Sequence, residues 1–183
     1  MFDTFKARAE AVSAEVHRFA GRGEALDFIV GVMEKAGVAD APGAGAVWAD
    51  GPFLAGLDRT ALVQRVPGLS FEVTRERAAG AKVGVSQVDW AVANTGTLAQ
   101  GVTEAAQRLA STLPSVHVAI AGSERIVPDL AGLLAKLSPH DTRYLALVTG
   151  PSRTADIERV LTIGVHGPER LVIVFVDGLE GRA

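Results

Sequence analysis

The sequence predicts an α/β domain in which a parallel-sheet core is flanked by helices, with a small β-rich insertion. Nearly continuous apolar runs at 143–150 (RYLALVTG) and 170–178 (RLVIVFVDG) are typical of strands that are covered on both faces. Segments with helical spacing separate the strands of the C-terminal half, and crossovers of that length make consecutive strands parallel. Glycine-punctuated, β-branched stretches between residues 60 and 102 predict the insertion.

The N-terminal segment carries apolar residues three and four positions apart, which predicts an amphipathic helix. These residues are Phe2, Phe5, Ala9, Val12, Val16 and Phe19. Two interpretations stay open: the helix packs on the core of its own chain, or it is an arm that pairs with another subunit. A second helix is predicted over 24–35. We therefore divide the chain into N-terminal helices at 1–37, packing on or swapping from the core, and an α/β domain at 38–183.

Shorter patterns predict the remaining elements. Strands are expected near 82–85, 88–93 and 97–102, and ANTGTL predicts a tight turn between the last two. Toward the C-terminus the predicted order is strand 115–122, helix 127–137 with Pro128 in its first turn, strand 143–150, helix 152–164 and strand 170–178.

The predicted site lies at the carboxyl ends of the parallel strands, because ligands bind at that edge of an open α/β sheet. The segment GPSRTADIE follows the strand at 143–150. We expect Gly150 and Ser152 to begin a helix there, Arg153 to bind a carboxylate or phosphate, and Asp156 to orient Arg153. The alternative is an ordinary strand-to-helix turn, in which Asp156 only complements the helix dipole.

A second polar cluster, NTGT, consists of Asn94, Thr95, Gly96 and Thr97. Its hydroxyl and backbone N–H groups either hold an oxyanion or only close a hairpin turn. His166, in GVHGP, either orders a tight loop or belongs to a ligand site between subunits.

Composition excludes several classes of protein. The 183 residues contain no cysteine, which excludes thiolate metal sites, iron–sulfur ligation and thiol nucleophiles, and the four histidines show no ligand spacing. His117 alternates with apolar neighbours and is interpreted as a packed polar residue. A net charge of −3 does not favour nucleic acid or an anionic membrane as partner. No apolar run reaches the roughly 18 residues of a membrane span, so we expect a cytoplasmic protein without metal or cofactor.

Three stretches carry a family likeness: VANTGTLAQ, QRLASTLPSVHVAIAGSERIVPDL and VTGPSRTADIERVLTIGVHGPERLVIVFVDG. Together they resemble the LUD domain, and more closely the lactate-utilization protein C family, over about residues 70–178. The resemblance implies a fold like that of the ribose-phosphate isomerase and coenzyme A transferase superfamily. It also implies participation in oxidising L-lactate to pyruvate beside iron–sulfur partner proteins. The family usually has Asp or Glu where this chain has Asn94, and an amide does not act as a general base at neutral pH.

Three functions stay open. The one we favour is an accessory, non-redox component of L-lactate utilization that binds a small anionic ligand at the carboxyl edge of the sheet. The second is a stand-alone enzyme on a phosphorylated or coenzyme A-linked metabolite, by analogy of fold alone. The third is a non-catalytic ligand-binding module. Asn94 favours the first and third, and a homo-oligomer is compatible with all of them.

Overall fold

The computed structural model describes residues 1–101, 104–137, 144–155, 161–163 and 167–181. Its helices are α1 (Phe2–Ala11), α2 (Arg22–Lys35), α3 (Arg59–Arg65), α4 (Arg75–Ala79), α5 (Ala105–Thr112) and α6 (Leu130–Leu134). Its strands are β1 (Glu15–Phe19), β2 (Gly45–Trp48), β3 (Leu69–Ser70), β4 (Ala81–Gln87), β5 (Trp90–Val92), β6 (Thr97–Gly101), β7 (Val116–Gly122), β8 (Ile126–Val127), β9 (Leu145–Val148), β10 (Arg153–Ala155), β11 (Leu161–Ile163) and β12 (Arg170–Val176). Short 3₁₀ turns lie at Pro52–Leu54 and Ser123–Arg125.

The central sheet confirms the predicted α/β class. It has six strands in the order β1-β12-β7-β4-β2-β3, and every neighbouring pair is parallel. Side chains along β12 alternate between two apolar layers: Val172 and Val174 pack in the layer of α2, and Ile173 and Phe175 pack in the layer of α1. The sequence of β12 is apolar throughout because both of its faces are covered.

Helices α1 and α2 cover opposite faces of this sheet. Phe5 of α1 is fully buried, with its ring centroid 5.1 Å from that of Phe175 in an edge-to-face arrangement. Ile29 and Met33 of α2 are buried in the other layer. Helix α2 confirms the prediction at 24–35 and begins two residues earlier, at Arg22.

The predicted N-terminal helix is wrong beyond Ala11, where α1 ends. Val16 and Phe19 lie in β1 and pack in different layers of the core. A spacing of three residues keeps two side chains on one face of a helix but sends them to opposite faces of a strand. β1 is an edge strand, paired with β12 from Glu15↔Val172 to Phe19↔Val176. The division of the chain at residue 37, with exchange between subunits, stays a prediction.

A smaller sheet forms the β-rich insertion. Its four strands lie in the order β8-β5-β6-β9, and β6 is antiparallel to both β5 and β9. β4, β5 and β6 confirm the strands predicted near 82–85, 88–93 and 97–102, but β4 belongs to the central parallel sheet and not to the insertion. The chain turns between β5 and β6 through 93–96, as ANTGTL predicts.

Strand β9 belongs to this smaller sheet, so the prediction that it joins the parallel core is wrong. It pairs antiparallel with β6, from Gly101↔Leu145 to Leu98↔Val148, and forms the edge of the sheet. Leu147 is 49% exposed, which a strand covered on both faces would not allow. An apolar run identifies a strand but does not identify the strand that it pairs with.

The helix predicted over 152–164 is also wrong within the described residues. Arg153–Ala155 and Leu161–Ile163 are the antiparallel strands β10 and β11. Thr154, Thr162 and Ile163 are β-branched, and such residues favour extended backbone. Residues 156–160 and 164–166 lie outside the described ranges.

Helix α6 is shorter than the predicted 127–137. It begins at Leu130, after Asp129, whose Oδ1 accepts a hydrogen bond of 2.7 Å from the Gly132 N–H. Pro128 precedes this cap and Val127 belongs to β8. None of the helices in the described ranges has the length and apolar character needed to cross a membrane.

Candidate functional site

An open cleft lies just beyond the carboxyl end of β2. This strand is not at the edge of the parallel sheet, because β4 and β3 lie on either side of it. The volume of the cleft is about 440 Å³. The lining residues are Asp50, Gly51, Pro52, Ala55, Arg59 and Glu104. We call it the carboxyl-edge cleft. Open parallel sheets bind ligands at this edge, so the cleft is the first candidate for a functional site.

The turn that forms the cleft floor follows from the segment VWADGP. The Ala49 N–H donates to the Val85 carbonyl at 2.9 Å, which extends the pairing of β2 with β4 by one residue. Pro52 then begins a 3₁₀ turn. A Cβ on Gly51 would lie 3.3 Å from Oε1 of Gln87, so this turn packs closely against the end of β4.

The polar wall of the cleft is the Arg59–Asp50 ion pair. Nη2 of Arg59 lies 2.6 Å from Oδ1 of Asp50, and the two side chains are 44% and 70% exposed. Arg59 is the first residue of α3, and its guanidinium carbon lies 5.3 Å from the ring centroid of Phe71. Oδ1 of Asp50 also accepts a hydrogen bond of 2.9 Å from the Gly51 N–H. The guanidinium of Arg59 and the carboxylate of Asp50 therefore both face solvent, next to each other. Phe71 gives the guanidinium a second contact, and the Gly51 N–H gives the carboxylate one.

This arrangement suits a small molecule that carries both an acid and a hydroxyl group. A guanidinium binds a carboxylate or phosphate through paired hydrogen bonds. A carboxylate such as that of Asp50 or Glu104 accepts a hydrogen bond from a hydroxyl. As for metals, the described ranges contain no group of three histidine, aspartate or glutamate side chains placed to hold an ion.

His117 is a packed polar residue, as its sequence pattern predicts. It is 1% exposed, and its Nε2 lies 2.9 Å from Oγ of Ser86. Burial lowers the pKa of His117 from 6.5 to about 4, so the ring is neutral at pH 7.

The structure brings several predicted site residues together, but at the opposite edge of the sheet. The Ser152 N–H donates to the Pro168 carbonyl at 2.8 Å, just before β12 begins. Nη2 of Arg153 donates to Oγ of Ser13 at 2.5 Å, just before β1 begins. The expectation that 150–152 lies at the carboxyl edge is wrong, because β9 has left the parallel sheet.

This second region is called the amino-edge junction. It consists of Ser13, Gly96, Thr97, Thr149, Gly150, Ser152 and Arg153. The hydroxyls of Thr97 and Thr149 lie 2.8 Å apart and connect the NTGT turn to the end of β9.

Two glycines allow the junction to pack against the C-terminal half of α1. Gly96 has φ +66°, and a Cβ there would lie 2.7 Å from the carbonyl carbon of Arg8. Gly150 has φ +70°, and a Cβ there would lie 2.6 Å from the Val12 carbonyl oxygen. Close approach and left-handed backbone together account for glycine at both positions.

The other predicted site residues are placed as follows. Asn94 and Thr95 are exposed on the turn, and the Asn94 N–H donates to the Pro128 carbonyl at 3.1 Å. Asp156 and His166 lie outside the described residues. Anion binding by any of these residues stays a prediction.

Sequence reasoning missed Asp50, Arg59 and Glu104. One signal was available, because Asp-Gly-Pro directly follows the buried residues Trp48 and Ala49. Arg59 has no local signal, since tertiary structure alone brings the start of α3 to the end of β2.

A family model described as the LUD domain matches residues 2–176 of the chain. The chain belongs to the LUD-domain family. The resemblance noted from VANTGTLAQ and GPSRTADIE is therefore confirmed. This LUD domain has the fold of a DUF162-family protein from Deinococcus radiodurans, known from a crystal structure, with a TM-score of 0.58 and 19% identity over 96% of this chain and 95% of the other.

Curated relatives of the LUD domain carry names from lactate metabolism. Lactate utilization protein C of Exiguobacterium sp. is 34% identical over 114 residues, which are 59% of this chain and 50% of the relative. Lactate utilization protein B of Shouchella clausii is 32% identical over 120 residues, which are 61% of this chain and 23% of the relative. The chain thus spans half or less of the length of these relatives.

Proposed function

We propose that this LUD domain takes part in the utilization of L-lactate, as a non-redox component that binds a small hydroxycarboxylate in the carboxyl-edge cleft. Support for the metabolic role comes from its relatives named lactate utilization protein C and B. Support for the binding role comes from one observation in the structure, the exposed Arg59–Asp50 pair at the carboxyl end of β2.

The proposed binding mode uses both members of this pair. The ligand carboxylate would take hydrogen bonds from the guanidinium of Arg59, and the ligand hydroxyl would donate to the carboxylate of Asp50. The ion pair is exposed, so exchanging it for contacts with a ligand costs little free energy.

The amino-edge junction is the alternative place for an anion, because it contains residues that the sequence predicts to bind one. Arg153 is exposed there and two threonine hydroxyls meet. Gly96 and Gly150 pack the junction closely against α1, however, whereas the cleft is open to a ligand. We therefore prefer the cleft.

Electrons from lactate oxidation need an acceptor, and the proposal assigns that part to iron–sulfur partner proteins. Conversion of L-lactate to pyruvate releases a pair of electrons together with protons. The sequence has no cysteine and so no thiolate to ligate an iron–sulfur cluster. Copurification of the tagged chain with iron–sulfur proteins, and loss of growth on lactate after deletion of its gene, are the expected results. Normal growth on lactate without the gene would contradict this role.

Isothermal titration calorimetry with L-lactate tests the binding site. Arg59→Ala should weaken L-lactate binding about tenfold or more, because a hydrogen bond to a charged group contributes about 1.5–3 kcal/mol. Arg65→Ala is the matched control: Arg65 ends the same helix, and its Nη1 pairs with Oδ1 of Asp27 at 2.7 Å with similar exposure. Equal affinity in the wild type and Arg59→Ala, or equal losses in the two variants, would refute the cleft as the binding site.

A steady-state assay separates a binding component from a stand-alone enzyme. The proposal expects the purified chain to bind L-lactate without converting it when no partner protein is present. Turnover of a phosphorylated or coenzyme A-linked metabolite by the chain alone would favour the enzyme instead.

A further inference from the structure

Five polar side chains form a buried cluster behind the carboxyl-edge cleft. We call it the glutamine cluster; its members are Ser86, Gln87, Gln100, Gln107 and His117, each at most 2% exposed. They lie on β4, β6, α5 and β7. Buried polar groups are stable in a core only when their hydrogen bonds are made, so the partners of these side chains are informative.

One series of hydrogen bonds runs from the cluster to the cleft. Nε2 of Gln107 donates to the carbonyl oxygen of Asp50 at 2.5 Å. Nε2 of Gln100 donates to Oε1 of Gln107 at 3.0 Å and to the carbonyl oxygen of Gln87 at 3.1 Å. Because the two carbonyl oxygens only accept hydrogen bonds, both amides are fixed in one orientation. Gln107 thus bonds the backbone of Asp50, and the carboxylate of the same residue pairs with the guanidinium of Arg59.

A second branch holds the other end of the cleft turn. Oε1 of Gln87 accepts a hydrogen bond of 2.8 Å from the Phe53 N–H, and its Nε2 donates to the Glu180 carbonyl at 2.9 Å. Gln107 and Gln87 therefore hold the turn at Asp50 and at Phe53. Gly51 and Pro52, which line the cleft, lie between these two points.

The cluster is not optimal for stability alone. Oε1 of Gln100 and Nδ1 of His117 are buried without a hydrogen-bond partner among the described residues. A buried polar group left without a partner destabilises the folded state, and an apolar core at this place would avoid that loss. A role in shaping the cleft accounts for keeping polar side chains here.

We infer that Gln107 and Gln87 are positioning residues, which hold the two ends of the Asp50–Phe53 turn and thereby present the Asp50–Arg59 pair to the ligand. Neither side chain is among the residues that line the cleft, so neither would touch a ligand bound there. The inference about ligand affinity rests on the proposed function, whereas the inference about the turn does not.

A ligand-free measurement tests the turn itself. In ¹⁵N-labelled protein, Gln87→Met should speed hydrogen exchange of the Phe53 amide about fivefold or more, since that N–H loses its acceptor. Gln107→Met should move the amide resonance of Gly51. Gln64→Met, at an exposed glutamine of α3, should change neither signal. If Gln107→Met does not fold, Gln107→Asn keeps the amide but withdraws it from Asp50, with the same expected shift.

A double-mutant cycle tests the consequence for binding. Gln107→Met should weaken L-lactate binding about fivefold in the wild-type background and hardly at all in Arg59→Ala, because the effect acts through that pair. A purely structural role predicts a lower melting temperature with equal losses of affinity in both backgrounds, which would overturn the inference. Unchanged Gly51 and Phe53 signals in folded variants would overturn it as well. If the wild type does not bind L-lactate, the proposed function fails, and the Gly51 and Phe53 signals still decide the positioning role.

Discussion

The carboxyl-edge cleft and the amino-edge junction lie at opposite ends of the same parallel sheet and are built differently. The cleft is open, its ion pair is exposed, and buried polar side chains lie behind it. The junction is closed by contact, since Gly96 and Gly150 leave no room for a side chain against α1. The glycine-containing motifs NTGT and GPSRTADIE thus lie at the tightly packed junction. The carboxyl-edge cleft, which has space for a ligand, contains few recognisable motifs.

This contrast leads to a general expectation about substitutions. Changes at the junction and at the buried His117 should mainly alter the free energy of unfolding. Changes to the exposed cleft pair should mainly alter ligand affinity.

The largest effect concerns His117 and pH. Because the pKa of His117 is about 4 in the folded protein and 6.5 when unfolded, the unfolded chain binds a proton that the folded chain does not between these values. The wild type should therefore lose roughly 3 kcal/mol of stability from this group as the pH falls from 6.5 to 4. His117→Gln should remove that part of the pH dependence in urea unfolding at pH 7 and pH 4. An equal loss in both proteins would show that His117 is not buried as described.

A smaller effect is expected for Gly96→Ala at the junction. The added methyl group would press on the backbone of α1, and alanine would be strained at φ +66°. Together these should lower the free energy of unfolding by about 2 kcal/mol. Gly43→Ala is the control, because Gly43 has φ +74° but nothing within 4 Å, so only the backbone strain applies. Equal losses in the two variants would contradict tight packing at Gly96.

The smallest effect on stability is expected for Arg59→Ala in the cleft. Its ion pair with Asp50 is exposed, and exposed pairs contribute less than about 1 kcal/mol. Thermal unfolding without ligand should therefore hardly change, although L-lactate affinity falls. A large loss of stability would mean that Arg59 stabilises the folded protein. The cleft and the junction would then not differ in the way proposed.

The fold could be predicted from the sequence where periodicity and burial agree. Helix α2 buries one face against the sheet and strand β12 is covered on both faces, so their apolar patterns indicate their structure directly. Strand β9 and the β10–β11 pair could not be predicted, because their partners are set by long-range pairing that local patterns do not encode.

The candidate site shows the same limit. The position of the site at the carboxyl edge can be predicted from the parallel topology. The residues that lie at this edge cannot be identified from sequence motifs. Asp50 directly follows a buried strand end and could have been found in the sequence. Arg59, Gln87 and Gln107 reach the cleft region through contacts between distant segments, and only the structure shows those contacts.

The most direct test of the account is to map L-lactate binding by amide chemical shifts in ¹⁵N-labelled protein. We expect the shifts to concentrate at Gly51, Ala55 and Glu104, around the carboxyl-edge cleft. Shifts confined to Thr95, Gly96 and Gly150, at the amino-edge junction, would contradict the account and place the anion where the sequence motifs predict it.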